Sequence, residues 1–101
     1  MRYYEEALRD YATAIQISPR NASSYFNRGV AYGLLEEWEK AIDDYSLAII
    51  QDAIYADAYY NRGGAYGNLA NYDEAIKDLT TVLILQPRRA EAMHSRSLAY
   101  L

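Results

Sequence analysis

The chain has 101 residues, of which 14 are acidic and 10 are basic, giving a formal net charge of −4. An acidic chain lacks the positive surface that nucleic-acid binding requires, and no apolar run approaches the roughly 20 residues that cross a bilayer, so we expect neither a nucleic-acid nor a membrane partner. The absence of cysteine excludes disulfides and thiolate metal ligands, and it is compatible with a reducing compartment such as the cytoplasm.

Apolar and small residues recur at helical spacing along the whole chain. In the second predicted helix Tyr25, Gly29 and Tyr32 are spaced i, i+4 and i+7, and in the third a similar stripe runs from Trp38 to Ile49. No segment alternates with a period of two, so we predict an all-α fold without a sheet. In chain order the six predicted helices cover residues 3–20, 22–35, 37–52, 56–69, 71–86 and 90–101.

The residues between these stripes are typical of helix boundaries. Pro19 and Pro87 are placed at or just before helix starts, where the missing N–H costs nothing. Asn71 lies three residues before Glu74, which predicts an N-cap residue with a capping-box partner.

The chain repeats itself with a period of 34 residues: Asn27–Tyr45 returns nearly unchanged as Asn61–Leu79. Small residues that recur at one position predict close helix contacts, because a larger side chain there costs about 1–3 kcal/mol. The repeating columns include Arg28, Arg62 and Arg96; Asp10, Asp44 and Asp78; Gly29 and Gly63; Tyr32, Tyr66 and Tyr100; and Ala7, Ala41 and Ala75.

This pattern resembles the tetratricopeptide repeat, whose 34-residue unit reads Trp-x2-Leu-Gly-x2-Tyr, then Ala-x3-Phe, then Pro. The copies here are Tyr25-x2-Arg28-Gly29-x2-Tyr32 with Ala41-x3-Tyr45, and Tyr59-x2-Arg62-Gly63-x2-Tyr66 with Ala75-x3-Leu79 and Pro87. The resemblance implies a right-handed superhelix of antiparallel helix hairpins.

Ala53 stands where the family has Pro, which predicts a softer or more continuous turn. The pentatricopeptide family has similar hairpins and typically binds RNA, but the acidic composition and the Gly, Ala and Pro columns favour the tetratricopeptide interpretation.

One domain, residues 1–101, is expected, with its six helices in the order B-A-B-A-B-A, where A and B are the first and second helix of a repeat. It divides into a second helix at 1–21, full repeats at 22–55 and 56–89, and a first helix at 90–101. Each hairpin of a solenoid is buried only by its neighbours, so both ends expose an apolar face. Two interpretations stay open. The chain is an excerpt of a longer array, or it forms a head-to-tail homo-oligomer through Tyr4, Leu8, Tyr11, Met93, Leu98 and Leu101.

Residues that could support catalysis or hold a metal are sparse. His94 is the single histidine, and it offers no set of zinc ligands. Adjacent acidic residues such as Glu36 and Glu37 point about 100° apart on a helix and do not converge as a general acid/base pair. We therefore expect no enzyme activity, no metal and no cofactor.

The Arg and Asp columns have two interpretations. A ladder of arginines could bind phosphate or carboxylate groups of a ligand. Because the Asp column repeats in the same phase, we favour an internal ladder of ion pairs between stacked helices.

The resemblance also implies a binding site. In tetratricopeptide arrays the first helix of each hairpin lines a concave groove that holds extended or helical peptides. Asn27 and Asn61 would offer donors and acceptors to a peptide backbone, Phe26 and Tyr60 would serve as aromatic anchors, and Gly64 would permit close approach by a ligand or a helix. Transferred to this chain, the groove positions are Phe26, Asn27, Val30, Asp57, Tyr60, Asn61, Gly64, His94 and Ser95.

The family's chaperone-tail binders use a carboxylate clamp of Lys, Asn and Arg. At its positions this chain has Phe26, Val30, Asn61, Glu91 and Ser95. Only the Asn matches, and the acidic edge formed by Asp57 and Glu91 favours a neutral or basic ligand. We therefore expect a protein–protein interaction scaffold that binds a peptide in its groove. The alternative is a structural module that associates head to tail, and the identity of the partner stays open.

Overall fold

The computed structural model describes residues 2–101, with side chains from residue 3 onward. This part of the chain contains six α-helices and no strand, which confirms the all-α prediction. The predicted boundaries are correct to within three residues. The largest error is at the end of the first helix, which stops before Ser18 because the residue preceding a proline disfavours helical geometry. The helices are α1 (Arg2–Ile17), α2 (Ala22–Leu34), α3 (Trp38–Gln51), α4 (Ala56–Asn68), α5 (Tyr72–Leu85) and α6 (Ala90–Tyr100).

The helices form a curved stack of two layers. Each helix packs against the next one in the chain, and α4 also contacts both α2 and α6. Within residues 2–101 no such contact joins α1 to α3 or α3 to α5. The layer of α2, α4 and α6, called the groove layer below, is therefore the concave side, and α1, α3 and α5 form the outer layer. The stack measures 39 × 27 × 19 Å.

Small residues let the two helices of each hairpin approach closely, as the Gly and Ala columns predict. A Cβ atom added at Gly29 would lie 2.7 Å from Cε1 of Tyr45 in α3. At Gly63 it would lie 3.3 Å from Cγ of Leu79 in α5. Ala41 of α3 is fully buried. The close approach is therefore tighter in the α2–α3 hairpin than in the α4–α5 hairpin.

Two ion pairs hold the same hairpins together. Arg28 of α2 donates two hydrogen bonds, both 2.7 Å, to the carboxylate of Asp44 in α3. Arg62 of α4 donates two, of 2.8 and 2.7 Å, to Asp78 in α5, and both aspartates are buried. Arg62 donates a third hydrogen bond of 3.1 Å to Oγ of Ser46 in α3. The predicted ion pairs are present, but each lies within one hairpin, whereas the Arg62–Ser46 hydrogen bond joins the second hairpin to the first.

The two turns inside the hairpins have the same backbone. Glu36 and Ala70 both adopt a left-handed φ of 58°, and the next residue donates its N–H to a helix carbonyl five residues back at 2.9 Å, which is a Schellman motif. The capping box predicted at Asn71 is wrong, since its side chain makes no capping hydrogen bond. Its backbone N–H, which the box would use, is already bonded to the carbonyl of Tyr66. The side-chain cap occurs instead at Asn21, which accepts from the N–H of Ser23 at 3.0 Å.

Tyrosine hydroxyls fix the turns between hairpins. Tyr25 donates to the carbonyl of Pro19 at 2.8 Å, and Tyr59 donates to the carbonyl of Ala53 at 3.0 Å. The helix is interrupted at residues 52–55, as it is at residues 18–21, so the absence of a proline at Ala53 does not make this turn more continuous. The hydroxyl of Tyr59 holds this turn in the same way as its counterpart holds the proline-containing one.

Candidate functional site

The groove layer contains a cavity of about 410 Å³. Val30 of α2 and Leu98 of α6 contribute to its walls, and the backbone of α4 at Gly64 contributes to its floor. These three residues occupy the same position of the 34-residue repeat. Two of the groove helices thus carry a branched side chain at this position and the middle helix carries none, which leaves a notch at the centre of the groove.

Two glycines of α4 at this notch have no close neighbour among the described residues that would require glycine there. A Cβ atom added at Gly64 or Gly67 would meet no side chain or neighbouring helix within 4 Å. Neither residue has a positive φ, so the conformational freedom of glycine is not used. Each glycine inside a helix costs about 1 kcal/mol of stability relative to alanine. The two glycines therefore lower the stability of α4, and no contact among the described residues accounts for them.

A few polar side chains interrupt the apolar lining. Asn61 lies by the hydroxyl of Tyr45; burial raises the pKa of Tyr45, and the hydrogen bond with Asn61 partly offsets that rise. Asn68 donates a hydrogen bond of 2.9 Å to the carbonyl of Gly64. Ser95 of α6 also lines the cavity. These groups can exchange hydrogen bonds with a ligand that lies along the groove.

Arg89, immediately before α6, occupies the groove edge beside α4. Its guanidinium lies 4.4 Å from the ring centroid of Tyr60, and it donates hydrogen bonds to Asp57 at 2.7 Å and to Glu91 at 2.9 Å. Burial lowers the pKa of Arg89, but the hydrogen bonds to the two carboxylates outweigh burial, so the pKa is raised overall. Arg89 thereby offsets the negative charge of Asp57 and Glu91. These two residues form the acidic edge from which the sequence predicts a preference for basic ligands.

Charged residues are absent from the cavity lining in the described part of the chain. The arginines of the groove helices α2 and α4 are committed to Asp44 and Asp78, and Arg89 is committed to the two carboxylates of the edge. The centre of the groove consequently presents a neutral, largely apolar surface.

Comparisons with known proteins decide the family. A sequence profile described as "Tetratricopeptide repeat" matches residues 22–52 and 56–89, and one described as "TPR repeat" matches residues 3–36. The chain belongs to the tetratricopeptide repeat (TPR) family. A search of curated proteins gave no match.

Solved TPR domains share this fold. The TPR domain of Arabidopsis OM64 is 30% identical, with 97% of this chain and 81% of that chain covered and a TM-score of 0.91. The first TPR of Spaghetti (RPAP3), bound to the HSP90 peptide SRMEEVD, is 33% identical, with 97% and 78% covered and a TM-score of 0.94. The second TPR domain of human RPAP3, in complex with the HSP70 peptide SGPTIEEVD, is 34% identical, with 97% and 82% covered and a TM-score of 0.92. This similarity places the chain among the TPR scaffolds for protein–protein interaction.

The structure brings only part of the predicted groove set to the cavity. Phe26 is half-buried in the contact between α2, α3 and α4, where its ring stacks on Tyr55 with 5.0 Å between centroids, so it is engaged in the core rather than free as an anchor. Asn27 and His94 are exposed and do not line the cavity, and Asp57 holds Arg89. The predicted residues that do line the cavity are Val30, Tyr60, Asn61, Gly64 and Ser95.

The residues predicted at the two ends differ in exposure. On α1, Tyr4, Leu8 and Tyr11 are half-buried. At the other end, the side chains of Met93, Leu98 and Leu101 are exposed. The predicted residues at the α6 end are therefore more exposed than those of α1, and Leu98 also lines the cavity.

Sequence reasoning missed several residues of the site. Trp38 and Tyr72, which line the cavity from the outer-layer helices, stand 34 residues apart at the first positions of α3 and α5. That aromatic column was a signal that could have found them. Asn68 gave no signal in the repeat pattern, because the equivalent residue of the preceding repeat is Leu34.

Among the described residues, no group of three or more His, Cys, Asp or Glu is placed to hold a metal ion. None of the helices within residues 2–101 combines the length and the apolar character needed to span a bilayer.

Proposed function

We propose that this TPR chain binds a segment of another protein, in extended or helical form, in the groove lined by α2, α4 and α6. The observation that carries the proposal is the 410 Å³ cavity, to which all three groove helices contribute through Val30, Gly64 and Leu98. Its size falls within the range of about 300–1,000 Å³ that is usual for ligand sites. The two RPAP3 domains hold peptides, which supports a peptide as the ligand.

The ligand proposed here differs in charge from those acidic peptides. Only Asn61 agrees with the Lys, Asn and Arg of the carboxylate clamp, whereas the last two clamp positions are Glu91 and Ser95. The cavity has no cation for a carboxylate, and Arg89 is already bound to Asp57 and Glu91. Because an unpaired carboxylate is costly to bury, a neutral segment fits this surface better than an acidic tail.

A matched pair of variants tests the groove. Ser95→Glu places a carboxylate in the cavity, whereas Ser97→Glu makes the same change two residues along α6, where the side chain is exposed and does not line the cavity. The probe is the set of heptapeptides that the wild-type chain selects from a random phage-displayed library. We expect Ser95→Glu to weaken their binding about tenfold or more, because an unpaired carboxylate would be buried beneath the peptide, while Ser97→Glu leaves it unchanged. Equal binding by the two variants, or the selection of no peptide at all, would contradict the proposal.

A second candidate function is head-to-tail association with another copy of the chain. In both hairpins an arginine pairs with an aspartate 16 residues later, as Arg28 does with Asp44. Arg96 of α6 and Asp10 of α1 belong to the same columns, yet neither has an ion-pair partner among the described side chains. If α1 of a second copy packs on α6 as α3 packs on α2, Asp10 of that copy meets Arg96.

Charge reversal tests this association. Static light scattering over a concentration series should show that the wild type grows in size with concentration and that Arg96→Asp or Asp10→Arg alone reduces this growth. The double variant Arg96→Asp/Asp10→Arg should restore it, because the ion pair is rebuilt with reversed polarity. A wild-type chain that remains monomeric at high concentration would rule out the self-association.

A further inference from the structure

The notch over α4 lies at the centre of the groove, between Val30 and Leu98. We propose that it takes one large uncharged side chain, aromatic or branched aliphatic, seated directly on the bare backbone at Gly64 and Gly67. This inference rests on the groove being the binding site and adds the chemistry of the residue that is recognised there.

The first support is the register of the repeat. Val30, Gly64 and Leu98 are equivalent positions of three successive groove helices, and all three line the cavity. Side chains on α2 and α6 therefore stand on either side of a position where α4 has none. A ligand side chain placed there would complete the row and contact apolar groups on both flanks.

The second support is the lack of any internal use for the two glycines. Gly29 and Gly63 are needed inside their hairpins, where an added Cβ would lie 2.7 and 3.3 Å from Tyr45 and Leu79 respectively. An added Cβ at Gly64 or Gly67 would meet open space, and α4 is continuous from Ala56 to Asn68 without a positive φ at either glycine. The remaining role for these two glycines is to leave room for a group from outside the chain.

The third support is the charge and shape of the surroundings. The cavity lining contains no charged residue in the described part of the chain, which disfavours burial of a charged ligand group. Tyr60 is held in place by the guanidinium of Arg89, 4.4 Å from its ring centroid, and it forms a preorganised aromatic wall. Asn61 and Ser95 lie at the same cavity and can bond the ligand backbone on either side of the anchored side chain.

The occupant that fits is therefore a peptide with a bulky neutral anchor. Aromatic and large aliphatic side chains gain most from burial against apolar walls, and aromatic residues alone bury about 150–250 Å² each. A small side chain would leave the notch partly empty, and a carboxylate or ammonium would lose its hydration without gaining a counter-charge.

The test is the double variant Gly64→Ala/Gly67→Ala, which fills the notch by two methyl groups. Thr13→Ala serves as the control, because Thr13 is exposed on α1, away from the cavity, and the change also raises helix propensity. Peptides selected by the wild type from a random heptapeptide library are the probe. We expect the double variant to melt about 4–8 °C higher for each glycine replaced and to bind the selected peptides about tenfold more weakly, while Thr13→Ala binds them as the wild type does.

The possible outcomes separate this inference from the proposed function. A bulky uncharged residue at a fixed position of the selected peptides, together with the loss of binding in the stabilised double variant, supports the inference. Selected peptides that lack such a residue, or that bind the double variant with unchanged affinity, overturn the inference and leave the groove as the binding site. The failure of the wild type to select any peptide overturns the proposed function and this inference with it.

Discussion

The α2–α3 hairpin and the α4–α5 hairpin follow the same 34-residue pattern but are closed by different side chains. In the first, the ring of Tyr45 lies against Gly29, and the groove position is Val30; in the second, the equivalents are Leu79 and Gly64. At both of these positions the second hairpin carries the smaller side chain, which leaves more open space at the groove. The comparison teaches that the shared columns build the scaffold, whereas the few positions at which the copies differ shape the cavity.

The largest expected effect concerns the ion pairs of the two hairpins. Arg62→Met leaves the buried carboxylate of Asp78 unpaired and should lower the free energy of unfolding by about 3–5 kcal/mol. Arg28→Met should cost about 1 kcal/mol less, because Arg28 lacks the additional hydrogen bond that Arg62 makes to Ser46. Urea unfolding followed by circular dichroism measures both values.

Two control variants sharpen that prediction. In the Ser46→Ala background the difference between the two arginine substitutions should disappear, as expected for coupled neighbours. The double variant Arg62→Met/Asp78→Leu should recover most of the lost stability, because no buried charge remains. A single Arg62→Met variant as stable as the wild type would show that the ion pair does not hold the second hairpin.

The next effect concerns the tight contact in the first hairpin. Gly29→Ala forces a methyl group against the ring of Tyr45 and should destabilise the chain by about 1–3 kcal/mol despite the better helix propensity of alanine. Gly63→Ala, where the nearest carbons are 3.3 Å away, should cost less. Thermal unfolding of the two variants compares them directly.

A compensating change tests the cause. Tyr45→Leu gives the first hairpin the residue that the second has at Leu79, so Gly29→Ala should be better tolerated in that background than in the wild type. An equal cost in both backgrounds would show that Tyr45 is not the source of the strain.

A smaller effect is expected at the turn inside each hairpin, which has the same backbone geometry in both. Glu36 and Ala70 have a φ of 58°, a region that costs a residue with a side chain about 1–2 kcal/mol and costs glycine little. Ala70→Gly should therefore raise the free energy of unfolding by up to about 1 kcal/mol, and Glu36→Gly should act in the same direction. Chemical denaturation of the two variants measures this change in the free energy of unfolding. Destabilisation by either change would contradict the assigned turn geometry.

The smallest effect is a pH dependence confined to the first hairpin. Burial raises the pKa of Tyr45, with Asn61 opposing the rise, so the phenol ionises at higher pH in the folded chain than in the unfolded chain, where its pKa is about 10. The stability contributed by the neutral phenol is complete below that pH and is lost as the pH rises through the folded-state pKa. As the pH rises above about 10, the wild type should lose free energy of unfolding more steeply than Tyr45→Phe. Parallel losses in urea-unfolding series would contradict the assignment.

The scaffold could be predicted from the sequence because its determinants are local or periodic. Helical spacing placed the six helices, and the recurrence of Gly29 with Gly63 and of the Arg and Asp columns indicated where helices touch and pair. Turn details were less accessible: the capping box at Asn71 failed because the backbone N–H it needs was already used by the preceding helix end.

The site was predicted less completely, because side-chain contacts between repeats decide it. Phe26 lies at a groove position of α2, but the ring of Tyr55, which directly precedes α4, stacks on it. The sequence indicates an acidic groove edge at Asp57, but Arg89, 32 residues later, binds Asp57. Such contacts depend on distances between helices that a periodic pattern does not specify.

The glycine amides give the most direct test of the groove as the binding surface. The chain has five glycines; Gly64 and Gly67 form the open floor of the notch, whereas Gly29 is buried behind Tyr45. In ¹⁵N–¹H spectra recorded while a library-selected heptapeptide is added, we predict that the amide signals of Gly64 and Gly67 shift and that the signal of Gly29 stays in place. Saturable binding that leaves Gly64 and Gly67 unshifted, with changes confined to residues of α1, α3 and α5, would contradict the account.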